Sequence, residues 1–279
     1  MLARLLLSAV CLAGLASAQN NDANAPFPPH RIADNLYYVG SKGLASYLIV
    51  TRQGDILINS GYAATVPVIV GNILKLGYKP ADVKILLNSH AHGDHVEGMA
   101  SLKELTGAQV FVMEGDDQVM AKGGEGQYFY HDHWQPVKVA RVLHDGDTVT
   151  LGDATLTAHL TPGHTRGCTT WTMQAKDHGK TYDVVILGSA NVNPGFQLVN
   201  NRDYPEIADD YARTFRVLKS LHCDIFLGAH GAYYNLEEKY AALKVGVKGN
   251  PFVDPEGYKA YVANREKAYL DTLEKQKKP

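Results

Sequence analysis

Leu86-Leu87-Asn88-Ser89-His90-Ala91-His92-Gly93-Asp94-His95-Val96-Glu97-Gly98 is the stretch from which the rest of the chain can be read. The apolar run 83–87 leads into it, so the polar cluster sits where a buried strand ends. Alternate residues of an extended segment point the same way, and His90 and His92 can therefore grip one cation together. Asp94 and His95 lie one turn further on, where a helix begins, and point elsewhere. That is the pattern for two neighbouring metals rather than one. A single histidine on an apolar face is most often a core residue. Three imidazoles and a carboxylate packed together at a strand end would be costly to bury without a cation. Neutral imidazole and carboxylate suit zinc, and no cysteine lies near enough for a thiolate structural site.

Two metals need more ligands than these four. Thr161-Pro162-Gly163-His164-Thr165 follows an apolar run that ends at Leu160, and Leu227-Gly228-Ala229-His230-Gly231 follows another. Both offer a histidine from a strand end where glycine lets the backbone approach closely. Together with the first cluster, His164 and His230 supply the missing ligands. The other histidines (His30, His131, His133, His144, His159, His178 and His222) lack this context and read as surface or core residues. His133 is the candidate exception, because it lies in a loop rich in glycine and aromatic rings, with Gly123, Gly124, Gly126, Tyr128, Phe129, Tyr130 and Trp134. That loop reads either as a mobile wall over a pocket or as a surface loop anchored by its rings.

The chain has 279 residues, 45% hydrophobic and 20% charged, with a formal net charge of −2. This is a globular composition, and it lacks the basic, aromatic-studded surface of a nucleic-acid groove. Residues 1–18 stand apart. Arg4 precedes an apolar run over 5–15, and Ala16-Ser17-Ala18 forms a small-residue cleavage site, so the segment reads as an export signal with maturation near Gln19. The run is too short for a permanent membrane anchor, and Ser8-Ala9-Val10 before Cys11 does not form a lipoprotein box. Export places Cys168 and Cys223 in an oxidising compartment, where either one disulfide or two buried thiols is consistent with the sequence.

Residues 31–39, 44–51 and 55–59 read as an antiparallel meander. An amphipathic helix follows over 65–76 with Gly77 as its stop, then the strand 83–87, a helix over 96–105 and a strand over 110–113. After the aromatic loop, strands are expected over 137–142, 148–151, 154–160, 168–174 and 182–187. A long helix over 204–221, a strand over 224–227 and helices over 235–245 and 258–275 complete the chain. This order suggests an α/β protein of two similar halves divided near residue 135, their sheets packed face to face with helices outside.

His-Ala-His-Gly-Asp-His over 90–95, with the later Thr-Pro-Gly-His164 and Gly-Ala-His230, resembles the metallo-β-lactamase superfamily over nearly all of residues 19–279. The resemblance implies a four-layer αβ/βα sandwich with a zinc site at one edge of the paired sheets. At Gly188-Ser189, glyoxalase II-like hydrolases carry a bridging aspartate and two other β-lactamase subclasses a cysteine. Serine there, with a complete His-x-His-x-Asp-His, resembles subclass B3, as does the segment 188–195. Asn59-Ser60-Gly61 stands where many members have Asp-Thr-Gly or Asp-Gly-Gly, a departure expected to perturb metal orientation modestly. By the resemblance, His90, His92 and His164 hold one zinc, and Asp94, His95 and His230 hold the other. A zinc-bound hydroxide then opens a small-molecule β-lactam (penicillin, cephalosporin or carbapenem), with Asp94 orienting it. Ser189 and Asn191 bind the substrate's carboxylate, and Gln127 lines the pocket. The implied enzyme is a periplasmic monomer without a nucleic-acid partner or membrane anchor. The alternatives are a lactone or thioester hydrolase on the same fold, and a non-catalytic zinc-binding protein.

Overall fold

The computed structural model describes residues 23–278; the expected leader, 1–18, lies outside them. Seven strands form the first sheet in the order β1(His30–Ala33), β2(Leu36–Tyr38), β3(Tyr47–Thr51), β4(Gly54–Ile58), β5(Val83–Leu87), β6(Gln109–Met113) and β7(Arg141–Leu143). β1 to β4 are antiparallel, and β4 to β7 are parallel. The second sheet holds β8(Thr148–Leu151), β9(Ala154–Leu160), β10(Thr169–Asp177), β11(Lys180–Leu187) and β12(Ile225–Gly228), side by side in that order. Its strands are antiparallel except for β11 and β12. The helices are α1(Val66–Lys75), α2(Gly93–Val96), α3(Met99–Thr106), α4(Asp117–Ala121), α5(Ile207–Ser220), α6(Leu236–Lys244) and α7(Pro255–Lys277).

Strand alternation makes the layers. Leu48, Leu57 and Leu86 pack with Ile69 and Ile73 of α1 and Leu102 of α3 on one side of the first sheet. Tyr47, Ile49, Ile56, Ile58, Ile85 and Leu87 point the other way. They share a core with Leu156, Trp171, Met173 and Ile186 of the second sheet, and with Phe215 of α5 and Tyr258 of α7. The result is the expected sandwich, with helices outside two facing sheets. The two sheets are also joined by hydrogen bonds along one edge. The Trp171 indole donates to the Asn88 carbonyl (3.0 Å) and the Thr169 amide to Ser89 (2.7 Å). The Tyr47 hydroxyl donates to Gly228 (2.7 Å) and the Ala45 amide to Ala229 (3.0 Å). Each link falls within two residues of one of the candidate ligands or on the strand leading to it.

Several expected boundaries move. The run 31–39 is two strands, because Asp34-Asn35 makes a tight hairpin between Ala33 and Leu36. The helix expected over 96–105 is broken into α2 and α3 at Gly98. A Cβ there would lie 2.5 Å from a Val66 methyl and 2.9 Å from the Ser60 carbonyl. The strand expected over 137–142 shrinks to β7, which pairs with β6 and so belongs to the first sheet. The halves therefore divide between β7 and β8 rather than near residue 135. Cys168 and Cys223 are both buried, and neither forms a disulfide among the described residues. Burial pushes both thiols up, Cys223 to about 12.

His30 is one of the core histidines. It is buried among Tyr38, Tyr240 and Phe252. Nδ1 lies 3.0 Å from the Pro28 carbonyl, while Nε2 is buried without a partner. Burial pushes its pKa down to about 4, against 6.5 in an open chain. The unfolded chain therefore binds a proton that the folded chain refuses between those values. Stability is full above pH 6.5 and falls as the pH drops towards 4, by up to about 3 kcal/mol from this ring. Urea unfolding of wild type and His30→Phe at pH 7 and pH 4.5 is expected to give a smaller pH-dependent loss for the variant.

Candidate metal centre

β5 ends at Leu87, and the chain bends through Ser89, Ala91 and His92 before α2 begins at Gly93. His90 and His92 are both buried, and their rings meet His164 from the loop after β9. The ring centroids are 4.9 Å apart for His90 and His92, 4.6 Å for His90 and His164, and 4.8 Å for His92 and His164. One nitrogen from each falls into a cluster within 4.8 Å. His164 Nδ1 lies 2.9 Å from the Asn191 carbonyl. A carbonyl only accepts, so Nδ1 carries the proton and Nε2 keeps its lone pair for the centre.

The second group forms beside the first. Asp94 and His95 project from α2, and His230 follows β12. His95 Nε2 lies 3.1 Å from His230 Nε2. Asp94 Oδ2 lies 3.3 Å from the first of these nitrogens and 3.4 Å from the second. Burial, then the neighbouring imidazoles, pushes His90 and His92 well down; burial pushes His164 and His230 down to about 4. Each of these four rings therefore keeps a nitrogen lone pair for a cation more readily than a free histidine does. Burial alone would raise Asp94, but the facing His95 and His230 outweigh it and hold the carboxyl ionised. Nitrogen lone pairs and a carboxylate oxygen converging at such distances repel one another unless a cation lies between them. The donor set is that of zinc: imidazole and carboxylate, without thiolate.

A cavity of about 520 Å³ opens over both groups, lined by His92, Asp94, His164 and His230 with Tyr62, Tyr130, Asn191, Asn193 and Tyr233. The six expected ligands and Asn191 thus come together. Ser189 does not line the cavity; it is buried, with Oγ 3.4 Å from the Tyr233 hydroxyl. Gln127 also stays out of this cavity. Its amide donates to the Gly124 and Asp132 carbonyls (both 3.1 Å) and holds the aromatic loop. His133 is exposed. Tyr130 places that loop in the cavity wall, its ring 4.8 Å from His92 and its hydroxyl accepting from Asn193 Nδ2 (2.8 Å).

Sequence reasoning missed Tyr233. Its hydroxyl accepts from Asn191 Nδ2 at 3.0 Å. The orientation of that amide follows from its other end, where Oδ1 accepts from Tyr261 and Arg265 of α7, both at 3.3 Å. The only local signal was position, three residues after His230.

Asn59 lies behind the centre in a left-handed conformation, φ 64°. Its Nδ2 donates to Ala45 (3.2 Å) and its Oδ1 accepts from the Ser89 amide (2.8 Å). Asn59→Asp keeps the second bond and turns an acceptor towards the buried Ala45 carbonyl. The expected loss is about 1–3 kcal/mol of stability, measured by urea unfolding.

A profile of the metallo-beta-lactamase superfamily matches residues 43–230. A native metallo-beta-lactamase from Legionella gormanii is 52% identical, with 91% of this chain and 98% of that one covered at a TM-score of 0.90. A class B3 di-zinc metallo-beta-lactamase from an Alaskan soil metagenome is 39% identical, covering 90% and 96% at a TM-score of 0.85. A probable metallo-hydrolase of Burkholderia pseudomallei is 34% identical over 107 residues, 37% of this chain. That match spans about a third of the curated relative, 34% of its length. Fold and site together define a two-cation metallohydrolase architecture. The chain belongs to the metallo-beta-lactamase superfamily.

Proposed function

We infer that this protein is a zinc-dependent β-lactamase of class B3, which hydrolyses the amide of the β-lactam ring. The observation that carries the reading is the pair of side-chain triads, five imidazoles and one carboxylate, at the floor of one cavity. The likeness to β-lactamases along almost their whole length supports it. His90, His92 and His164 hold one zinc, and Asp94, His95 and His230 the other. Bound zinc supplies Lewis acidity, which acidifies water at neutral pH and stabilises charge developing on the substrate's oxygen and nitrogen. The Asp94 carboxylate, held ionised with Oδ2 turned to His95 and His230, accepts the proton of the attacking water on its other oxygen and returns it to the ring nitrogen as the C–O bond forms and the C–N bond opens. The Tyr233 oxygen accepts from Asn191, so its own proton is free to turn into the cavity and meet an anionic oxygen. Asn191 contacts the substrate's carboxylate directly, and Ser189 acts on it through the Tyr233 hydroxyl. Gln127 acts by shaping the loop that carries Tyr130.

The test is a panel of penicillin, cephalosporin and carbapenem substrates, with and without chelator. Hydrolysis is expected, lost on exhaustive chelation and regained with zinc; activity that survives chelation overturns the reading. Residues 1–18 are proposed to direct export to the periplasm, leaving 19–279 as one monomeric domain. Among the described residues no helix is long and apolar enough to cross a membrane. N-terminal sequencing of the periplasmic fraction and sedimentation of the purified protein test these points.

A further inference from the structure

Asp116, just after β6, is almost completely buried, at 1% exposure, and no basic side chain pairs with it among the described residues. Its partners are neutral donors from two loops. Oδ2 accepts from the Ala91 amide (2.7 Å) and the Thr165 hydroxyl (2.8 Å), and Oδ1 accepts from the Gly167 amide (2.9 Å). Ala91 stands between His90 and His92, and Thr165 follows His164. One carboxylate therefore spans the two segments that carry the first three imidazoles, which come from different sheets. Two glycines let it do so. A Cβ on Gly167 would lie 2.5 Å from the Asp116 amide, and one on Gly115 (φ +90°) would lie 2.9 Å from Arg166. A buried carboxylate without a counter-charge is an expensive way to join two loops, since a neutral pair would do so at lower desolvation cost. Burial lifts its pKa to about 6, a measure of that cost.

We propose that Asp116 is a positioning residue that sets the register of the His90–His92 segment against the His164 loop and so pre-assembles one of the two zinc sites. The inference rests on the assignment of His90, His92 and His164 to one zinc. Outer partners of this kind are worth about 10- to 100-fold in metal affinity. The experiment is competition for zinc between a chromophoric chelator and the full-length mature protein, as wild type, Asp116→Asn and Thr165→Val, with thermal unfolding of each in zinc-free and zinc-loaded form. Asp116→Asn is expected to bind one of its two zinc equivalents about 10- to 100-fold more weakly. Thr165→Val, which removes a single donor and keeps the shape, is expected to bind it several-fold more weakly. In both variants the zinc-loaded form loses more stability than the zinc-free form, whereas a purely structural strut would lower both equally. Wild-type zinc affinity in both variants, with equal destabilisation of the two forms, overturns the proposal. Failure of the wild type itself to take up two zinc ions instead sinks the functional reading on which it stands.

Discussion

Asp94→Asn is expected to lower kcat/KM for β-lactam hydrolysis by about 10²- to 10⁴-fold, the range for loss of a placed proton acceptor. The substitution preserves shape and removes charge and basicity. Asp94 is the only carboxylate in either triad, and its Oδ2 sits within 3.4 Å of both His95 and His230 nitrogens. Those rings hold it ionised against its own burial. An amide there neither accepts a proton at neutral pH nor balances a cation, so both the reaction and the second metal are affected. Steady-state kinetics at saturating zinc, together with zinc counting by mass spectrometry, separates the two effects. A variant that keeps wild-type kcat/KM at full zinc loading would remove Asp94 from the proton path.

Trp171→Ala is expected to cost about 3–5 kcal/mol of stability, as large-to-small changes of buried aromatics do. Trp171 is among the largest fully buried side chains, on β10 between Ala158 and Ile186 of its neighbours. Its indole also carries the bond to the Asn88 carbonyl, two residues before His90. Truncation opens a void between the sheets and strips that carbonyl of its donor. Trp171→Phe isolates the second effect: most of the ring stays, the bond is lost, and about 1–3 kcal/mol is expected. Urea midpoints for both variants measure the pair. Equal losses would mean that the indole's polar end carries the whole effect.

What was legible in the chain was what short range controls. His90 and His92 fall close enough in the chain to meet one partner, His164, while the helix that starts at Gly93 carries Asp94 and His95 round to the other side of His90, with the His90 and His95 rings 4.2 Å apart. The glycines beside His164 and His230 marked strand ends wherever those strands went. The errors lie where a distant segment decides. The helix breaks at Gly98 because its amide donates to the distant Gly61 carbonyl (3.0 Å), in a spot where Val66 and Ser60 leave no room for a Cβ. β7 joins the first sheet because β6 offers it an edge. Asp116 carries no signal in the sequence, since its donors come from residues 25 and more positions away. Gln127 pointed towards a pocket in the sequence, but its amide is taken up by the backbone of its own loop. The Asp34-Asn35 hairpin is the exception: it is local, and its residue types are those of a tight turn.

His95 and His230 touch across 135 positions of chain. With only the first sheet formed, at most two donors of either triad are in place, one fewer than the three protein ligands a catalytic zinc site takes. Loading must therefore come after the sheets close on each other, a slow step for contacts so remote in sequence. If β12 is the last part to seat, stopped-flow refolding with a zinc-sensitive dye is expected to register ion capture only after the tryptophan signal has settled.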